Sequence, residues 1–141
     1  MTRILLMLTI LFTLPACTDK LTANALNGTF EGEFLYRSPE GGSVRSAKTN
    51  VSFSDNNYSS LGNANYIPAG GSGTFEIQKE NILKFEDKNI WTANFDWLLI
   101  LNGNYKYQIK NDSLILTRYS EPCANCSTAN SLYQYRLKRI N

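Results

Sequence analysis

The chain has 141 residues, 14 of them Lys or Arg and 12 Asp or Glu, with no histidine. A net charge of +2 without any basic block offers no electrostatic footing for a nucleic-acid partner. The missing histidines remove the commonest general base and metal ligand, and with them Ser-His-Asp sites, Cys-His sites and histidine-bearing zinc sites.

In chain order, Arg3 gives the N-terminus a positive start, and an apolar run follows from Ile4 to Leu14. About eleven residues fall well short of the roughly 20 needed to cross a bilayer, so the segment reads as the core of a signal peptide. Leu14-Pro15-Ala16-Cys17 follows and resembles the lipobox of bacterial lipoproteins. The resemblance implies diacylglycerol on the Cys17 thiol, cleavage before it, and a membrane anchor at the mature N-terminus. It divides the chain into a signal peptide (1–16), a short polar tether (17–25) and one domain (26–141). Thr18 stands where an acidic residue would favour retention at the inner membrane, so the expected location is the outer membrane, on its periplasmic face or at the cell surface.

Beyond the tether, strand signals dominate. Thr29 to Arg37 alternates, with Phe30, Phe34 and Tyr36 on one face and Glu31 and Glu33 on the other. Pro39, Gly41 and Gly42 mark a turn into a polar strand from Val44 to Phe53, and Asp55-Asn56-Asn57 turns that toward Tyr58 to Leu61. Asn63 to Gly73 reads as a loop. Thr74 to Ile77 and Ile82 to Glu86 form a hairpin, and Asn89 to Trp97 has room for a single helical turn. Asn102-Gly103 between Leu98–Leu101 and Tyr105–Ile109 predicts a two-residue hairpin turn. Asn111-Asp112 predicts a second such turn into Leu114 to Arg118. A last strand spans Leu132 to Ile140, with Tyr133, Tyr135 and Leu137 on one face.

About eight short antiparallel strands in sequence order predict an all-β meander, and closure into a barrel is the favoured way to remove its exposed edges. Leu26-Asn27-Gly28-Thr29-Phe30, Leu101 to Tyr105, and Asp112 to Leu116 resemble the small lipocalin-like lipoproteins common in Bacteroidetes. Lipocalins carry Gly-x-Trp on the first strand, covered by a basic residue from the last. The resemblance places Phe30 at the Trp position and Arg136 as its basic partner.

Glu121-Pro122-Cys123-Ala124-Asn125-Cys126 holds the one concentration of chemistry-bearing residues. A cysteine-only metal site would need four thiolates, whereas Cys123 and Cys126 are two once Cys17 bears lipid. A thioredoxin-type pair belongs at a helix N-terminus, and this segment lies between strands. A disulfide stapling the loop is the favoured reading, with a redox pair as the alternative. Glu31 and Glu33 read as solvated carboxylates on the wall. Asp96 beside Trp97 resembles a sugar-contacting pair, against a plain reading as a strand-end Asp and a core Trp.

No catalytic constellation emerges, and no cofactor or metal is expected. The sequence therefore points to a non-enzymatic, outer-membrane-anchored lipocalin-like lipoprotein that binds a small apolar or amphipathic ligand, a lipid or a glycan. Phe34, Tyr36, Trp91, Trp97, Tyr105 and Tyr107 are the candidate ligand-binding residues. The alternative is an anchored inhibitor or envelope-complex subunit that meets a protein partner through its loops.

Overall fold

The computed structural model describes residues 21–79, 81–119 and 131–140. Eight antiparallel strands run in sequence order around a closed barrel: β1 (Gly28–Ser38), β2 (Gly41–Ser54), β3 (Asn57–Ser60), β4 (Gly71–Gln78), β5 (Ile82–Asp87), β6 (Gly103–Lys110), β7 (Ser113–Arg118) and β8 (Leu132–Arg139). Closure is made by β1 against β8, in continuous register from Phe30 opposite Arg139 to Arg37 opposite Leu132. The expected lipocalin-like eight-stranded barrel is the fold of this chain.

The period of two in the sequence becomes the inside and outside of the barrel. On β1, Phe30, Phe34 and Tyr36 face inward and are buried, while Glu31 and Glu33 lie on the outer wall. On β8, Tyr133, Tyr135 and Leu137 are buried in the same alternation. The inward side chains fill the lumen. Phe53 packs edge-on against Phe30 and Phe75, Phe85 against Tyr58 and Tyr105, and Phe34 lies 4.7 Å from Tyr135 between ring centroids. Interlocked rings of this kind contribute about 0.5–1.5 kcal/mol per pair beyond the area they bury.

Gly32 shares the inward face of β1, where a Cβ would sit 2.0 Å from the Arg136 backbone oxygen. Only glycine lets β1 and β8 approach so closely there.

The two ends of the barrel differ. At one end the β2–β3, β4–β5 and β6–β7 turns are tight, with Asp55, Asn81 and Asn111 in the left-handed region that Asn and Asp tolerate. A short helix, α1 (Ala23–Leu26), begins at the Thr22 cap and buries Leu26 at this end. Arg139 fixes it: its guanidinium donates to the Ala25 carbonyl at 2.6 Å and to the Asn27 carbonyl, and lies 4.4 Å over the Phe30 ring. The basic partner of Phe30 is therefore Arg139 and not Arg136. Arg136 is an exposed residue of the alternating strand whose Nε donates to Gln134. Because β8 pairs Phe30 with Arg139, only a residue at that register reaches the ring. Leu21 and Ala23 also pack on the core, so the folded domain reaches back into the stretch read as tether.

The other end carries the long connections, 61–70 and 88–102 among the described residues. Here the expected hairpin across Asn102-Gly103 does not form. Trp97–Leu99 is a 3-10 turn capped by Asp96, whose Oδ1 accepts from the Leu98 N–H at 2.9 Å. Leu99, Ile100 and Leu101 are buried consecutively, which no strand with one wet face allows. They form a plug bonded to the facing loop, Ala69 N–H to the Leu99 carbonyl and Leu101 N–H to the Gly70 carbonyl. The partners of β6 are already β5 and β7, leaving residues 98–101 no strand to pair with. Their apolar run closes the barrel instead.

Candidate functional site

The loop end of the barrel concentrates exposed apolar side chains. Leu61, Tyr66, Ile90, Trp97 and Leu98 are all exposed there, Ile90 at 94% and Trp97 at 59%. Two of the loops also build a ladder of rings. Tyr66 stacks on Phe95 with centroids 4.5 Å apart and planes 5° from parallel, and Trp91 meets Phe95 edge-on at 5.6 Å.

The Tyr66 and Trp91 rungs are positioned by polar contacts. Asn63 organises the 61–70 loop: its Oδ1 accepts from the Asn65 and Ile67 N–H groups at 3.0 Å, and its Nδ2 donates to the Ile67 carbonyl. Its own carbonyl accepts from Tyr66 N–H, and Tyr66 is in the left-handed region with φ of 55°. At the base of the other loop, Asp87 accepts from Trp91 Nε1 at 2.6 Å through Oδ2, and from the Ser72 N–H and Asn89 Nδ2 through Oδ1. A charge-assisted bond of this kind fixes the indole, which is half-buried and packs against the core together with Phe95.

The plug is anchored from the barrel side. Arg118 donates to the Asn102 carbonyl at 2.8 Å, to the Leu98 carbonyl at 3.4 Å and to the Tyr105 hydroxyl at 3.1 Å. Tyr58 donates to the Leu101 carbonyl at 2.5 Å, and Tyr133 to Asp96 Oδ2 at 2.9 Å. Burial pushes the hydroxyls of Tyr58, Tyr105, Tyr133 and Tyr135 above the ordinary tyrosine value, with Asp87 adding to the shift at Tyr58 and Asp96 at Tyr133, and Arg118 opposing it at Tyr105. The hydroxyls of Tyr58, Tyr105 and Tyr133 are structural donors held neutral.

The six candidate ligand-binding residues do not form one site. Phe34, Tyr36 and Tyr105 are buried in the barrel, with Tyr36 ringed by Tyr133 at 5.4 Å and by the Arg45 guanidinium at 4.9 Å. Trp91 and Trp97 belong to the loop end. Tyr107 lies at the opposite end, in an open cleft of about 590 Å³ shared with Leu21, Ile109 and Arg139. Asp96 caps a turn and holds Tyr133, and Trp97 is exposed, so neither side of the strand-end Asp and core Trp reading describes both residues. Sequence does not relate Tyr66 to Phe95, because their contact joins separate loops, and nothing local marks Asp87 as the support of Trp91. The one signal in sequence was an aromatic beside the Pro- and Gly-rich stretch after Leu61.

Glu31 and Glu33 are exposed on the outer wall, as expected. Cys17, Cys123 and Cys126 lie outside the described residues. Among the described residues there is no grouping of three or more acidic, Cys or His side chains fit to hold a metal, and no helix is long and apolar enough to cross a membrane. Comparison with family models, curated proteins and solved structures gives no match.

Proposed function

We propose that this chain is a non-enzymatic, lipid-anchored interaction protein of the outer membrane, which meets a protein partner with the loop end of its barrel. The observation that carries this reading is the contrast between a lumen packed with rings and loops that expose Tyr66, Ile90, Trp97 and Leu98. Exposed apolar side chains clustered on loops that a rigid scaffold positions mark contact surfaces. Orientation supports it as well. From a lipidated Cys17 to Leu21 the chain reaches at most about 14 Å, and Leu21 packs at the tight-turn end. An anchor there turns the loop end away from the bilayer.

The reading as a binder of a small amphipathic ligand keeps one specific support, the Tyr66–Phe95–Trp91 ladder with Asn63, Asn65 and Asn89 around it. Such a ligand would lie on the loops and not in the lumen.

The test is recovery of a stable envelope partner by the tagged lipoprotein. Ile90→Asp combined with Trp97→Ala should reduce recovery at least tenfold while leaving the melting temperature within about 2 °C, since both side chains are exposed. Undiminished recovery by that variant would remove the loop end as the contact surface.

A further inference from the structure

The barrel is closed, but one of its strands is paired on both sides over only part of its length. Strand β2 has 14 residues, yet its pairing with β3 covers only Val51 to Ser54, because β3 has four. Its pairing with β1 continues upward, from Phe53 opposite Gly28 to Arg45 opposite Tyr36. The upper half of β2 thus has a strand partner on one side only among the described residues. Residues 42–46 and Lys48 are exposed. The β1–β2 ribbon stands above its β3 neighbour with an open flank.

The register says which backbone groups are free. Leu61 N–H donates to the Asn50 carbonyl, so even-numbered residues of β2 direct their N–H and C=O toward the β3 side. The alternation continues without a break to Arg45. Ser46 and Lys48 therefore present donors and acceptors spaced for one more antiparallel or parallel strand, below the register shift that follows Arg45. At the foot of this edge lies a cleft of about 450 Å³ lined by Leu61, Lys48, Thr49, Asn50, Glu31 and Glu33.

Side chains set the character of the added strand. Leu61 stands on the outer face, 60% exposed, and Val44 near the top of the edge is 47% exposed, and both favour apolar neighbours. On the inner face Arg45 lies over the Tyr36 ring, and a carboxylate beside it would be paired. From Gly41 to Ser54 the strand carries Arg45 and Lys48 and no acidic residue, although Glu33 stands opposite Lys48 across the ribbon. A second copy of this chain would bring to this edge only Arg45 and Lys48 and no acidic residue to pair with them, which disfavours it as the occupant.

We propose that the free edge of β2 accepts, as an added strand, an extended segment of a partner protein whose side chains alternate between acidic and apolar. The proposal rests on the reading of the chain as an interaction protein, but it uses a surface separate from Ile90 and Trp97.

The test uses the full-length lipoprotein in detergent micelles and a decapeptide of alternating Val and Glu. Hydrogen exchange should be fast at the amides of Ser46 and Lys48 in the free protein, and at least tenfold slower with saturating peptide. A Val-Lys decapeptide, and a Val-Glu decapeptide N-methylated at alternate residues, should each bind at least tenfold more weakly. Ser46→Pro removes only a donor on the free side and should abolish peptide binding with the fold intact. Ala47→Pro removes a donor that faces β1 and should lower the melting temperature. The idea is overturned if those two amides are already protected, if the peptide fails to bind at millimolar concentration, or if Ser46→Pro binds it normally. Protection that rises with protein concentration alone would also overturn it, by naming a second copy as the occupant. Ile90→Asp with Trp97→Ala should leave peptide binding unchanged, which separates failure of the edge from failure of the loop surface.

Discussion

Tyr58 and Tyr135 are both buried in the barrel, but their hydroxyls have different fates. That of Tyr58 is bonded to the Leu101 carbonyl, whereas the Tyr135 hydroxyl and Ser60 Oγ each lack a partner among the described residues. A buried hydroxyl without a partner costs about 1–3 kcal/mol, and a bonded one contributes about 1. Tyr58→Phe should therefore destabilise the barrel by about 1 kcal/mol, while Tyr135→Phe should be neutral or stabilising, as read by urea denaturation. The same environment predicts an alkaline limit. Burial raises Tyr58, Tyr105, Tyr107, Tyr133 and Tyr135 above the ordinary tyrosine value. The unfolded chain releases these protons near pH 10, and the folded chain only at higher pH. Their contribution to stability is full below about pH 10 and declines as the pH rises beyond it. A spectrophotometric titration should show these residues resisting ionisation until the barrel unfolds.

At the scale of elements, the junction of α1, β1 and β8 depends on one side chain. Arg139 joins the Phe30 ring to the carbonyls of Ala25 and Asn27, across the seam where the sheet closes. Arg139→Ala should cost about 2 kcal/mol, from charge-assisted bonds and lost packing on the ring. Arg136→Ala should change stability by under about 0.5 kcal/mol. Paired denaturation curves decide between the two arginines. Sequence alone could assign a basic residue of the last strand to Phe30 but not choose it, since Arg136, Lys138 and Arg139 lie within four residues and register decides. Strands β1, β7 and β8 were legible because their buried and wet faces alternate. Residues 98–101 were not, because a buried plug and a strand both read as an apolar run, and Asn102-Gly103 beside it imitates a hairpin turn. Asn102 instead accepts from Asp87 N–H, and Gly103 opens β6 with φ of +88°. The ring ladder was illegible for another reason, since Tyr66 and Phe95 come from separate loops and nothing local relates them.

For the molecule as a whole, the ends of the barrel are unequal in length of chain, in exposed apolar surface and in distance from Leu21. Tight turns and α1 close the end from which the N-terminal segment departs. The long loops, the plug and the ring ladder occupy the other. On the proposed reading the packed lumen and the furnished rim put recognition at the rim, and the open flank of β2 lies on the same half of the barrel. Site-specific photo-crosslinking in intact envelopes tests this directly, with benzoylphenylalanine placed at Ile90 or Trp97 on the loops and at Ile109 on the closed end. All three side chains are exposed, so each can carry the probe without entering the core. The account predicts a discrete protein adduct from positions 90 and 97 and none from 109. An adduct from 109 with none from 90 or 97 would contradict it.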